Sequence, residues 1–246
     1  MKNTLLLGCG RSGTSIFGEL FATMPDYTYR SEPDFEALAG LNPPFAVKVP
    51  RESAAYPPDA GLSFPVWALE EMLPAPRQLF WIVRHPLDAI ASLRVGISRN
   101  WGHHPRPAGW RDWLERPLIE RCAYHWQYLN TVGYGQVAHL VEVVHFEDMI
   151  RDPQAFAEKI CRQVGGDPAA MAPALAGWAA RVQDRNTPAF VEAETSRPYS
   201  TRDHKVRVGR WRENLSAEEV RQALPLIRDA ARAFGYALPP DGSGEY

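Results

Sequence analysis

One segment of this 246-residue chain leaves little freedom to the fold that contains it: Gly8-Cys9-Gly10-Arg11-Ser12-Gly13-Thr14-Ser15. Ahead of it, residues 4–7 are a short apolar run of the kind that forms a buried strand. Behind it, Phe17, Leu20, Phe21 and Met24 recur at helical spacing and give one apolar face, closed by Pro25-Asp26. A glycine-rich turn between a strand and a helix lets consecutive N–H groups converge on an anion, aided by the positive end of the helix. The nucleotide-binding pattern G-x-x-x-x-G-K-[ST] fits at Gly8, Gly13 and Ser15, but Thr14 stands where a lysine would reach the outer phosphates of a triphosphate. The basic side chain comes earlier, at Arg11. The turn therefore suits a smaller anionic group; a strand-to-helix turn with no ligand is the plainer alternative.

The rest of the chain repeats the alternation. Residues 45–49 and 78–83 read as buried strands, and Pro86 opens a helix whose inner face is Leu87, Ile90, Ala91 and Leu93. Residues 96–114, rich in Gly, Pro, His, Arg and Trp, read as a lid-like insertion. A Trp- and Tyr-rich helix is predicted over about 115–130, a strand over 139–145, helices from Glu147 to Val164, and a further helical stretch over 168–185. Residues 186–209 show no period. Ser216 and Glu219 form a capping box whose helix ends at Gly235, with Pro225 disturbing its middle, and 239–246 reads as a frayed tail. Strands alternating with helices predict an α/β fold: a P-loop-type, three-layer α/β/α arrangement with a central parallel sheet, in which ligands bind beyond the carboxyl ends of the strands. With no linker and no internal repeat, one domain over residues 1–246 is expected.

The net charge of −2 gives no reason to expect a nucleic-acid partner, so any anion site has to come from local clustering. Cys9, Cys122 and Cys161 are odd in number and lack metal-type spacing, which fits a reducing compartment. No apolar run approaches the roughly 20 residues needed to span a bilayer, and the apolar stretch near the start is too short for a secretory leader. A cytoplasmic protein is expected.

Four segments resemble those of the sulfotransferases that use 3′-phosphoadenosine 5′-phosphosulfate (PAPS). The run GRSGTS, followed by a helix and then SEP, looks like the family's 5′-phosphosulfate loop, closest to the Golgi carbohydrate and tyrosylprotein branches; the cytosolic branch has lysine where Arg11 stands. The stretch from Phe80 to Ser92 is similar to the 3′-phosphate segment, with Arg84 and Ser92 as its grip. Residues 144–153 and 209–215 resemble two later elements, so the resemblance runs in family order from residue 5 to residue 215. It implies that Arg11, Ser12, Gly13, Thr14 and Ser15 hold the donor's sulfonated end. Lys48 would contact the sulfate or bridging oxygen, and Arg84 and Ser92 the ribose phosphate. Of the basic cluster Arg202, Lys205, Arg207 and Arg210, Arg210 and then Lys205 are expected at the 3′-phosphate.

Arg84 also stands on its own chemistry, because an arginine ending an apolar strand is costly unless it meets an anion or a carboxylate such as Asp88. Sulfuryl transfer needs stabilised charge on the departing oxygen and a base for the acceptor hydroxyl. Glu32, 21 residues past Arg11, is the candidate base by resemblance to the tyrosylprotein branch, with Asp34 and Glu36 close enough to leave the register open. Catalysis is thus expected from Glu32, Arg11 and Lys48, with adenosine 3′,5′-bisphosphate (PAP) as product and no metal. His103-His104 are read as lid residues beside Trp101 and Trp110, and His125 as a core residue. The acceptor is a small-molecule hydroxyl on a carbohydrate, a lipid or a secondary metabolite; the aromatic lid points to a bulky or partly apolar one. A P-loop small-molecule kinase and a catalytically inactive nucleotide-binding protein of the same fold are the alternatives.

Overall fold

The computed structural model describes residues 1–186, 198–201 and 203–240. Five strands form one wholly parallel sheet: β1 (Asn3–Gly8), β2 (Thr28–Ser31), β3 (Phe45–Lys48), β4 (Arg77–Val83) and β5 (Val141–His145), in the order β2-β3-β1-β4-β5. Helix α1 (Thr14–Thr23) follows β1, a one-turn helix α2 (Leu69–Met72) precedes β4, and α3 (Pro86–Ser98) follows it. Then come α4 (Leu118–Tyr128) and α5 (Tyr134–Val137), joined by the π-helical turn Leu129–Gly133. After β5 lie α6 (Phe146–Arg151), α7 (Pro153–Gln163), α8 (Ala172–Ala179), α9 (Trp211–Asn214) and α10 (Ala217–Ala233).

The pleat divides the core in two. Leu5, Leu7, Val47, Trp81 and Val83 point to one face and pack with residues of α3, α4 and α10. Leu6, Ala46, Phe80, Ile82 and Val144 point to the other and pack with α1, α7 and α8. Each fully buried Leu or Phe contributes about 1.5–3 kcal/mol, so both faces are firmly covered and the three-layer architecture follows. The predicted α/β class and parallel sheet hold.

Several boundaries differ from expectation for local reasons. The aromatic helix does not stop at Asn130: that amide turns inward, accepting from Trp81 Nε1 at 3.0 Å and donating to the Trp126 carbonyl at 2.9 Å, and the chain stays helical to Val137. Pro225 is carried within α10 on its exposed side, where the carbonyl one turn earlier loses its partner without being buried. The capping box at Ser216 and Glu219 is formed as predicted. Residues 168–185 yield only the helix Ala172–Ala179. The segment 96–114 is not all lid: α3 runs to Ser98, and Ile97 and Trp101 are fully buried. Of the expected tail, 241–246 lies outside the described residues, as do Arg202 and residues 187–197 of the aperiodic stretch.

Candidate active site

The carboxyl ends of β1, β2, β3 and β4 open into one cavity of about 540 Å³. Its lining brings together Gly10, Arg11, Gly13, Thr14 and Ser15 from the turn after β1, Glu32 after β2, Lys48 at the end of β3, Arg84 after β4 and Ser92 on α3. Arg207 and Arg210 reach it from the segment before α9. Residues far apart in sequence meet because adjacent parallel strands end on the same edge of the sheet.

The turn after β1 is built around its main chain. Arg11 has φ 66° and Gly13 has φ 96°, so two residues take the left-handed conformation within three positions. Only glycine is possible at position 13, since a Cβ there would sit 2.4 Å from the Phe146 ring. Among the described residues, the N–H groups of Gly10, Gly13 and Thr14 meet no acceptor, so the turn offers donors at a helix start. Ser12 differs from expectation. Its N–H donates to the Cys9 carbonyl at 3.1 Å, and its hydroxyl is buried without a partner, away from the cavity lining. Arg11 donates from Nε to Ser92 Oγ at 3.0 Å and from Nη2 to Ser200 Oγ at 3.0 Å, which ties the turn to α3.

Arg84 is 5% exposed and forms no ion pair among the described residues. It donates to the carbonyls of Arg11, at 3.2 Å, and Arg207, lies 4.2 Å from the centroid of Phe146, and keeps a buried Nε–H with no acceptor. The Asp88 carboxylate, the obvious counter-ion, is spent elsewhere: it accepts from the N–H groups of Gly209, at 2.7 Å, and Trp211, at 2.9 Å. Burial pulls the Arg84 pKa down, opposed by the charge of Asp88. A buried guanidinium beside an open cavity, with no carboxylate of its own, fits an anionic group of the ligand. Arg210 is also buried; desolvation, then repulsion from Arg84, lowers it to about 10, while Thr201 Oγ1 and Asp203 Oδ1 accept from its Nη2. Lys205 is exposed and outside the cavity lining, where Arg207 stands instead.

On the other side, Lys48 is 2% exposed and donates to Glu32 Oε1 at 2.5 Å and to Ser15 Oγ at 3.2 Å. Burial lowers the Lys48 pKa, against the opposing charge of Glu32. Glu32 takes φ 54° and Val49 φ 37°, strained values for side-chain-bearing residues that hold this corner in place. Of the carboxylates left open by sequence, Glu32 and Asp34 line the cavity; Glu36 does not and instead accepts from Ser53 Oγ. The lid contributes Gly102, His103 and His104. Its indoles do not: Trp101 is in the core, donating from Nε1 to His125 Nδ1 at 3.1 Å, and Trp110 lies against Arg106 and Arg111. His103 was legible only as lid, yet it is buried against the glycine turn, and burial holds its pKa well below the usual range. Thr201 and Tyr199, which also line the cavity, carried no sequence signal.

No family model matches the chain, and no curated protein does. Solved structures share its fold. A mouse sulfotransferase complexed with PAP has a TM-score of 0.59 at 17% identity, over 94% of this chain and 84% of its own. The sulfotransferase domain from the curacin biosynthetic pathway has a TM-score of 0.57 at 14% identity, over 97% and 99%. Retinol dehydratase, in complex with androsterone and the inactive cofactor PAP, has a TM-score of 0.57 at 13% identity, over 96% and 82%. At these identities the likeness is one of fold: an α/β protein of the P-loop type with a parallel sheet between helices.

Proposed function

We propose that the protein is a PAPS-dependent sulfotransferase acting on a small-molecule hydroxyl. The observation that carries this reading is the shared cavity: the glycine turn and the Arg84–Ser92 grip face one space of about 540 Å³, in which a single adenosine ligand can touch both. The guanidinium of Arg84, buried without a direct ion pair among the described residues, suits the ribose 3′-phosphate, with Ser92, Arg207 and Arg210 around it. The amides of Gly13 and Thr14 suit the sulfonated end. Two structural neighbours support the donor class, a sulfotransferase complexed with PAP and a retinol dehydratase with the inactive cofactor PAP. Thr14 in place of the phosphate-reaching lysine argues against the kinase alternative.

When bound, the donor supplies an activated sulfuryl group whose bond to the phosphate oxygen breaks as the acceptor oxygen attacks, leaving PAP. This chain's residues do the rest. Lys48 and the turn amides carry the charge that grows on the departing oxygen. Glu32, held against Lys48, takes the proton of the acceptor hydroxyl. The reading further includes one domain and a cytoplasmic location; among the described residues no helix is long and apolar enough to cross a membrane. Glu32→Gln tests it: turnover measured by PAP release is expected to fall about 10²–10⁴-fold while PAP affinity by calorimetry stays close to normal. Activity near that of the unaltered protein would remove Glu32 from the role.

A further inference from the structure

The cavity is chemically two-sided. Toward β4 it presents Arg11, Arg84, Arg207 and Arg210; beyond β2 and β3 it presents Glu32, Asp34, Arg51, Glu52 and His104. The second wall is a continuation of the sheet edge, where Asp34 bridges Arg51 through the main chain. The Glu52 carboxylate lies 4.0 Å from His104 Nδ1 and is half exposed. The Asp34 carboxylate makes no hydrogen bond or ion pair among the described residues. Apolar contact on this side comes from Val49 and Pro50; Phe146 and Tyr199, which also line the cavity, stand against Arg84 and His103. The two indoles behind the expectation of a bulky or partly apolar acceptor are not in this wall: Trp101 is core and Trp110 is absent from the lining.

With Glu32 neutralised by Lys48, the wall retains two carboxylates, Asp34 and Glu52, against the single charge of Arg51. A sterol would desolvate these groups and pair none of them, which is costly. A neutral polyol would satisfy them in part. An ammonium group would both hydrogen-bond them and offset their charge. We infer that the acceptor is a hydrophilic alcohol carrying a basic amine, seated with its amine toward Asp34 and Glu52 and its reacting hydroxyl toward Glu32. This rests on the sulfotransferase reading and names the acceptor class for the same cavity.

The test uses matched sets with PAPS: glucosamine, N-acetylglucosamine and glucose; ethanolamine, N-acetylethanolamine and ethylene glycol; and androsterone alone. Product is read as the sulfonated compound by mass, and PAP binding is measured separately by calorimetry. The free amine is expected to lead each set by about tenfold in kcat/KM, the sum of two partly exposed charge pairs. That lead should shrink to about twofold in the double variant Asp34→Asn/Glu52→Gln. Should the double variant fail to bind PAP, Asp34→Asn alone is used and should lose part of the lead. Equal or faster turnover of the acetylated or neutral members, or of androsterone, overturns the inference. So does sulfonation of none of them by protein that binds PAP. Failure to bind PAP at all overturns the donor reading instead.

Discussion

Two neighbouring strands end in two turns that present hydrogen-bond donors to one cavity by different means. After β1 the turn spends five residues, two of them in the left-handed region, to present main-chain N–H groups. After β4 the chain enters α3 almost at once through Arg84, His85 and Pro86, and presents a guanidinium. The first offers its donors through backbone shape, which most of its side chains do not supply. The second depends on one side chain whose nearest carboxylate, Asp88, is hydrogen-bonded to the N–H groups of Gly209 and Trp211 instead. An anion held by shape is lost when the backbone cannot fold; one held by charge is lost when a single group is removed.

The strongest way to break the contrast is Gly13→Ala. The new methyl would meet Phe146 and the backbone would be strained at φ 96°, so a stability loss of about 3 kcal/mol or more is expected, read as a fall in melting temperature. A variant as stable as the parent would show the turn to be more plastic than described. Next, Arg84→Ala should weaken PAP about 100-fold and adenosine 5′-phosphosulfate far less, since only PAP carries the 3′-phosphate. Equal losses would place Arg84 elsewhere on the ligand.

Acid should act on the core and on both turns, since His103, packed against the glycine turn, is also held well below the usual range by burial. His85 stacks on Trp211 and keeps a buried Nδ1 without a partner; burial lowers its pKa, and His125 is driven to about 3. Folded-state values below the unfolded 6.5 mean that this stability is complete above about pH 6.5 and is lost as pH falls toward the folded values. Melting temperature should therefore decline below about pH 6.5, and less steeply in His125→Gln. The smallest effect is Ser12→Ala, which removes a buried hydroxyl with no partner and should change stability by less than about 1 kcal/mol in either direction. A large loss there would mean that the side chain does more in the turn than its surroundings show.

The fold was legible because β1, β3 and β4 are short, apolar and each followed by a helix or a turn, and because the turn residues need particular backbone angles. Lys48 and Arg84 were findable in the sequence as charged groups at strand ends, and Glu32 and Ser92 through the family resemblance; all four line one cavity. Ser12 and Lys205 show the limit: which way a side chain leaves a loop is decided by packing that no local pattern encodes. His103, Thr201 and Tyr199 enter the cavity only because long-range contacts fold 102–104 and 199–201 over it. The indoles of the lid misled for the same reason, since composition cannot tell a ring that faces a ligand from one that completes the core.

The Phe146 ring touches both turns: its edge fills the space that a Cβ on Gly13 would occupy, and Arg84 lies over its face. A rigid six-membered plate between the two anchors works as a ruler. It fixes the separation of the two turns, so trimming it to leucine would loosen that spacing and also take away the face on which Arg84 rests.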